Sequence, residues 1–356
     1  MKLLILGSVA LPVPPPMQGG TERIAYWQAR ELAKRGHTVT LVAAKGSRAE
    51  GYTLVEIGGG DTVAGSANAQ SGAEFTEGSR KQRKEAVYLA EVTQYLLNHG
   101  KEYDVVLNNM RAGESLFVPA VNAAGGHYAT VMHLPLFSEL AEYFRLNGTA
   151  VITISNAQRQ GFDGLNYAGT VYNATDLSEL PFNDEPEGYL LMMGSIAPHK
   201  NQKDGILAAK TLGKKIVLAG KIGNQAYWEK EIAPLVDGAN VVHEGELSLS
   251  RKAILLGSAD ALLFPIVWPE PFGLVMIEAM AAGTPVVAYG NGAVPEVVAD
   301  GKTGYIVSGV EGLVEGIKKV SSLDRYTCRR YVEEHFTVEK MIDSLEQALV
   351  KIGKNS

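Results

Sequence analysis

The chain has 356 residues, too many for one small core and enough for two α/β domains of ordinary size. Apolar residues make up 46% and charged residues 20%, the balance of a soluble globular protein. A net charge of −6 argues against a broad nucleic-acid-binding surface, and the single cysteine, Cys328, excludes an internal disulfide or a multi-cysteine metal site. A reducing, cytoplasmic setting is the expectation.

In chain order, Lys2 to Leu6 reads as a buried strand that Gly7 ends, followed by a loop stiffened by Pro12, Pro14, Pro15 and Pro16. The period of residues 21–35 predicts a helix with Ile24, Trp27 and Leu32 on one face and Gly36 as the residue beyond its C-terminus. Strands at 38–43, 53–57, 104–107, 128–132 and 151–154 complete a first series. Residues 58–80, rich in Gly, Ala, Ser and Thr, predict a mobile loop. Arg80, Lys81, Arg83 and Lys84 then open a predicted helix, either as a solvated face or as a contact for an anionic acceptor or a membrane surface. A second series has strands at 189–193, 216–219, 241–242, 261–264 and 286–288. Residues 176–187, rich in Pro, Asp and Glu, read as a linker between the two.

Short apolar runs alternating with helical-period segments signal parallel α/β architecture. We therefore expect two Rossmann-like domains, 1–175 and 188–335, facing each other across a cleft. Residues 336–356, helical in period from Val338 to Ile352, can pack on either domain, including back on the first. No run approaches the ~20 apolar residues of a membrane span.

The chemistry concentrates in the segment from Phe264 to Pro285. Two carboxylates, Glu270 and Glu278, flank a predicted loop-to-helix junction at Phe272 and Gly273. Such junctions hold anions in α/β proteins. Carboxylates repel phosphate, so their partners there are hydroxyl groups, and a nucleotide sugar carries both. Surface carboxylates complementing a helix N-terminus are the plain alternative, but it leaves Trp268, two prolines and a glycine without a role.

Three further positions qualify. Gly19 and Gly20, before the first helix, either let the backbone approach a phosphate or simply form a turn. They do not form Gly-x-Gly-x-x-Gly, which removes the main support for dinucleotide binding. Lys200, closing the run Gly194 to Lys200 after a strand, is either an exposed lysine or a cation that offsets a diphosphate leaving group. His133, at the end of a strand, either points into a ligand crevice or is satisfied by backbone. Arg159 is placed similarly after the strand at 151–154.

The run Trp268-Pro-Glu270-Pro-Phe-Gly273-Leu-Val-Met-Ile-Glu278-Ala-Met-Ala-Ala-Gly283-Thr-Pro285 resembles the Glu-x7-Glu signature of retaining glycosyltransferases of family 4, which have the GT-B architecture. Gly19-Gly20-x-Glu22, Gly194 to Lys200, and Gly292 to Gly304 resemble further elements of that family in the same order. The resemblance implies that Glu270 binds hydroxyls of the transferred sugar, with backbone amides at Phe272, Gly273 and Leu274. It also implies that Glu278 holds the ribose, that Gly20 meets the diphosphate and Lys200 offsets its charge, and that His133 lies beside the donor sugar. The base would contact backbone near His243 and Glu244.

One position departs from the pattern. The family usually has arginine after the glycine matching Gly194, and here Ser195 stands there, so that either Lys203 or Lys221 substitutes or the enzyme is slow or has an unusual donor. The resemblance implies a nucleoside diphosphate sugar donor, UDP-glucose-type favoured over GDP-mannose, and a hydroxyl-bearing acceptor: saccharide, lipid or small molecule. No cofactor is expected, and without an Asp-x-Asp signature no metal. The alternatives are a nucleotide-sugar 2-epimerase of the same architecture, a non-catalytic nucleotide-sugar-binding protein and, weakest, an NAD-dependent dehydrogenase.

Overall fold

A computed structural model describes residues 1–16, 19–62 and 72–354. They form two compact units, one holding the residues up to Asn173 together with Val338 onward, the other Ala174–Thr337.

The first unit begins with β1 (Lys2–Ser8), in which every residue after Lys2 is buried. An unbroken apolar run of this kind suits a parallel sheet covered on both faces. α1 (Gly20–Lys34) turns Ile24, Ala25, Trp27 and Leu32 inward, and Gly36 follows at φ 89°, a left-handed conformation that ends a helix without steric cost. Then come β2 (Thr38–Ala43), β3 (Thr53–Glu56), α2 (Gly72–His99), β4 (Val105–Asn108), α3 (Glu114–Ala123), β5 (Tyr128–Met132), α4 (Ser138–Leu146), β6 (Ala150–Thr153) and β7 (Asn166–Thr170). The strands pair in parallel in the order β3-β2-β1-β4-β5-β6-β7.

Part of the loop expected at 58–80, residues 63–71, lies outside the described residues. From Gly72 the chain is helical, so Arg80, Lys81, Arg83 and Lys84 lie inside α2 rather than at its start. The glycines, threonine and serine of residues 72–79 carry the composition of a loop, and only Ala73, Glu74 and Glu77 among them are strong helix formers, which is why the sequence does not show that the helix begins there. Lys84 pairs with Asp61.

The second unit repeats the pattern with β8 (Tyr189–Met193), α5 (Gln202–Thr211), β9 (Lys215–Ala219), the single turn α6 (Gln225–Tyr227), β10 (Val241–Gly245), α7 (Leu249–Ser258), β11 (Ala261–Phe264), α8 (Leu274–Ala281), β12 (Val286–Tyr289), α9 (Val294–Val297), β13 (Gly304–Val307), α10 (Gly309–Lys319) and α11 (Arg325–His335). Its order is β10-β9-β8-β11-β12-β13, again all parallel. In each sheet the order reverses once, between β1 and β4 and between β8 and β11. The loops leaving those strands diverge there, which opens a crevice at their C-terminal ends.

α12 (Val338–Lys354) belongs to the first unit, where it packs on β7 and α1 and buries Met341, Ile342, Leu345 and Leu349. Arg35 joins it through Asp343 at 2.8 Å and Glu346 at 2.5 Å. No helix among the described residues is long and apolar enough to cross a membrane.

The segment read as a linker runs along the second unit rather than standing free. Leu180 is buried, Asn183 N–H donates to the Ala282 carbonyl at 3.1 Å and Glu187 N–H to that of Ser258 at 2.7 Å. Arg325 fastens it, donating to the carbonyls of Asn183, Gly257 and Ala259 and to Thr284 Oγ1. Replacing Arg325 by alanine strands several of these acceptors, a loss of about 2 kcal/mol. The measurement is urea unfolding followed by tryptophan fluorescence, which reports this unit through Trp228 and Trp268. An unchanged midpoint would show that the strap does not depend on Arg325.

Candidate functional site

The crevice of the second unit is built from loops that approach unusually closely. Gly194 and Gly220 follow β8 and β9 with φ of 144° and 142°. A Cβ on Gly220 would stand 2.1 Å from the Gly194 carbonyl oxygen, so only glycine fits. The two loops are then joined by backbone bonds: Gly194 N–H donates to the Ala219 carbonyl at 2.9 Å, and Ile196 N–H to that of Lys221 at 2.9 Å. Gln202 Nε2 donates to the Ser195 carbonyl at 3.1 Å, compacting the turn that delivers Lys200.

Lys200 meets the loop after β11 across the strand-order reversal. Its Nζ lies 2.8 Å from Glu270 Oε2, and Trp268 Nε1–H donates to the same oxygen at 2.8 Å. The ammonium also sits over the Trp268 and Phe264 rings, at 5.7 and 5.5 Å from their centroids. Glu270 is pinned through its backbone from a third loop. Ala293 N–H donates to its carbonyl at 2.9 Å, and a Cβ on Gly292 would lie 2.3 Å from its amide nitrogen.

Gly273, at φ 84°, turns the chain into α8. The backbone N–H groups of Gly273 and Leu274 find no acceptor among the described residues, as the first amides of a helix do not within the helix itself. Phe272 is buried, edge-on to Phe336 at 5.8 Å. One turn into α8, Glu278 accepts from Lys252 Nζ of α7 at 2.5 Å. Beside it, Arg251 holds Glu244 with two bonds of 3.0 and 2.7 Å. His243 bonds through Nε2 to the Gly220 carbonyl at 2.8 Å and lies tilted against the Trp228 ring, 4.7 Å between centroids. Lys203 pairs with Glu231 at 2.7 Å.

Gly19, Gly20 and His133 belong to the first unit, at its own strand-order reversal. A Cβ on Gly19 would come within 2.8 Å of Pro15, and Gly20 begins α1. Glu22 is buried, accepting from Ser8 Oγ at 3.1 Å, with Arg111 at 3.8 Å. His133 Nε2–H donates to Asn109 Oδ1 at 2.9 Å, and Asn109 Nδ2 donates to Gln28 Oε1 at 2.8 Å. That chain of bonds leaves Nδ1 of a neutral ring as an acceptor. Burial, then the nearby Arg111 guanidinium, hold the imidazole far below the usual histidine range, at about 3. Arg159 is occupied structurally, bound to Thr153 Oγ1 at 3.1 Å and lying over the Tyr167 ring at 4.6 Å.

Within the second unit the structure therefore brings Lys200 together with Glu270, and Gly194 and Ser195 together with the loop after β9. Glu278, Glu244 and His243 are each held by a partner that the sequence reading did not assign: Lys252, Arg251 and Gly220. Asn109 and Arg111 were missed likewise. Their signal was weak, a polar stretch directly after a buried strand, and only the fold shows that this strand borders the reversal.

Residues 175–335 match the family described as glycosyl transferases, group 1. An uncharacterized 41.2 kDa protein in the cps region of Klebsiella pneumoniae is 31% identical over 122 residues, 32% of this chain and 33% of that protein. A D-inositol 3-phosphate glycosyltransferase of Mycobacterium bovis is 37% identical over 132 residues, 35% of this chain and 27% of that protein. The matched region thus spans about a third or less of these curated relatives. Among solved structures, AviGT4, a glycosyltransferase involved in avilamycin A biosynthesis, superposes with a TM-score of 0.75 at 22% identity, covering 100% of this chain and 98% of that one. Anabaena Alr3699/HepE in complex with UDP and glucose gives 0.74 at 19% identity, covering 98% and 99%. The fold is that of GT-B glycosyltransferases, two parallel-sheet Rossmann-like domains.

The His133 environment gives a prediction with a definite sign. Its pKa in the folded chain lies below the ~6.5 of an unfolded histidine. Between the two values only the unfolded state takes up the proton, so this group lowers stability as pH falls through that window and has no effect above it. His133 is half-buried as a residue, and its neutrality is expected down to pH 5 at least. The His133 imidazole signals in NMR should stay unshifted from pH 8 to 5; a midpoint near 6.5 would place the ring in water.

Proposed function

We propose that the protein is a retaining glycosyltransferase of family 4 that moves a hexosyl group from a nucleoside diphosphate sugar, UDP-glucose-type favoured, to an acceptor hydroxyl without a metal ion. The observation that carries this reading is the Lys200–Glu270 pair beside the unbonded amides that open α8. A cation and helix-terminal N–H groups suit a diphosphate, and a carboxylate next to them suits sugar hydroxyls. The match of residues 175–335 to group 1 glycosyl transferases and the likeness in fold to a protein solved with UDP-glucose support the donor class.

In this reading the bond between the anomeric carbon and the β-phosphate oxygen breaks as the acceptor oxygen attacks, and the acceptor proton passes to the departing diphosphate, by analogy with the family. Lys200 and the α8 amides offset the charge that develops on the leaving group. Both carboxylates are ion-paired with lysines, Glu270 with Lys200 and Glu278 with Lys252, which fits hydroxyl binding better than nucleophilic attack. Glu270 holds the sugar being moved and Glu278 the ribose. Gly20 and the neutral His133 serve the phosphate and the reacting centre, the base lies along His243 and Glu244, and the setting is cytoplasmic.

Ser195 favours a second reading, a protein that binds the nucleotide sugar without turning it over. A thermal-shift screen against nucleoside diphosphates and their sugars identifies the donor, and raised melting with UDP and UDP-glucose is expected. Incubation with the donor alone then distinguishes the readings: a binding protein leaves it intact, an epimerase converts it, and a transferase forms product only once an acceptor is added. Lys200→Ala and Glu278→Gln should each slow transfer about a hundredfold. A fully active Lys200→Ala enzyme would remove that residue from the reaction. Activity should survive EDTA, whereas dependence on added manganese would overturn the metal-free claim.

A further inference from the structure

A diphosphate carries more than one negative charge, and Lys200 already shares its charge with Glu270. The other cations that the site's loops and helices supply are likewise engaged: Lys203 with Glu231, Arg251 with Glu244 and Lys252 with Glu278. Lys221 differs. It is exposed, follows Gly220 at the C-terminal end of β9, and has no ion pair among the described residues.

Its neighbour is Ser195. Ile196 and Ile222 form a parallel bridge, and Ile196 N–H donates to the Lys221 carbonyl at 2.9 Å. The bridge puts Ser195 and Lys221 at facing backbone positions on the two loops. Gly223, two residues on, turns back toward the first loop: a Cβ there would lie 3.1 Å from Ser195 Cβ, so this position must stay small. Glycine at 220 and at 223 leaves no side chain on either side of the long, exposed Lys221, and the residue facing it across the two loops, Ser195, is short.

We propose that Lys221 is the second cation of the diphosphate site, reaching over Ser195 to the β-phosphate and selecting nucleoside diphosphates over monophosphates. This rests on the transferase reading above. Lys200 and Lys221 then approach the ligand from the loops after β8 and β9, which the Gly194–Gly220 contact holds together.

The test is calorimetric titration of UDP and UMP. Lys221→Gln should weaken UDP binding about tenfold, the ordinary size of one charge-assisted contact, and leave UMP binding unchanged. Lys203→Gln should alter neither, and adding Ser195→Arg to Lys221→Gln should restore UDP affinity. Wild-type affinity for UDP in Lys221→Gln, an equal loss for UDP and UMP, or no rescue by Ser195→Arg would each overturn the assignment. If the wild-type chain binds neither UDP nor GDP, the donor reading itself fails, and this assignment with it.

Discussion

A parallel sheet whose strand order reverses sends two adjacent connections to opposite faces, and the backbone at those strand ends is left uncovered. In the second unit this happens between β8 and β11, and the Lys200–Glu270–Trp268 contact ties the two diverging loops together. A partly exposed ion pair adds little stability, ~1 kcal/mol or less. Its importance is positional, since it fixes a cation and a carboxylate on either side of the opening. A ligand entering there exchanges partners with the pair: phosphate oxygens compete with Glu270 for the ammonium, and sugar hydroxyls compete with Lys200 for the carboxylate. Neither group has to leave one unpaired state for another.

Glycine sets how near the loops can come. At Gly220 and Gly292 an added Cβ would collide with backbone from another loop, at Gly194 and Glu270 respectively. Repacking side chains cannot relieve such collisions. The crevice is therefore shaped by main chain, while Trp268, Trp228 and His243 fill its borders with rings. In the first unit the corresponding opening is polar inside, with Asn109 relaying from Gln28 to His133 and Glu22 held by Ser8.

Most of the parallel α/β plan was legible because its central strands are short, buried apolar runs. The two strands that escaped, β7 and β13, are both edges. Their sequences, Asn-Tyr-Ala-Gly-Thr and Gly-Tyr-Ile-Val, are only partly buried and carry the glycine and polar residues that elsewhere mark turns. At the site, Lys200, Glu270 and Glu278 could be found because unusual residue types stand at strand and helix ends. Their partners could not. Lys252 and Arg251 look like an ordinary solvated helix face until α7 is seen beside α8. The segment at 176–187 shows a related gap: Pro, Asp and Glu mark an irregular stretch beside the division of the units, but only Arg325, far along the chain, fastens it to the second unit.

The placement of α12 has a consequence for how the chain acquires its structure. The helix completes the first unit's core against β7 and α1, yet all of Ala174–Thr337 precedes it in the chain. During synthesis the amino-terminal unit emerges first but stays without the apolar face of Met341, Ile342, Leu345 and Leu349 until the second unit has been made. The unit translated first is thus the one finished last, and the second unit can fold while its predecessor still waits for its closing helix.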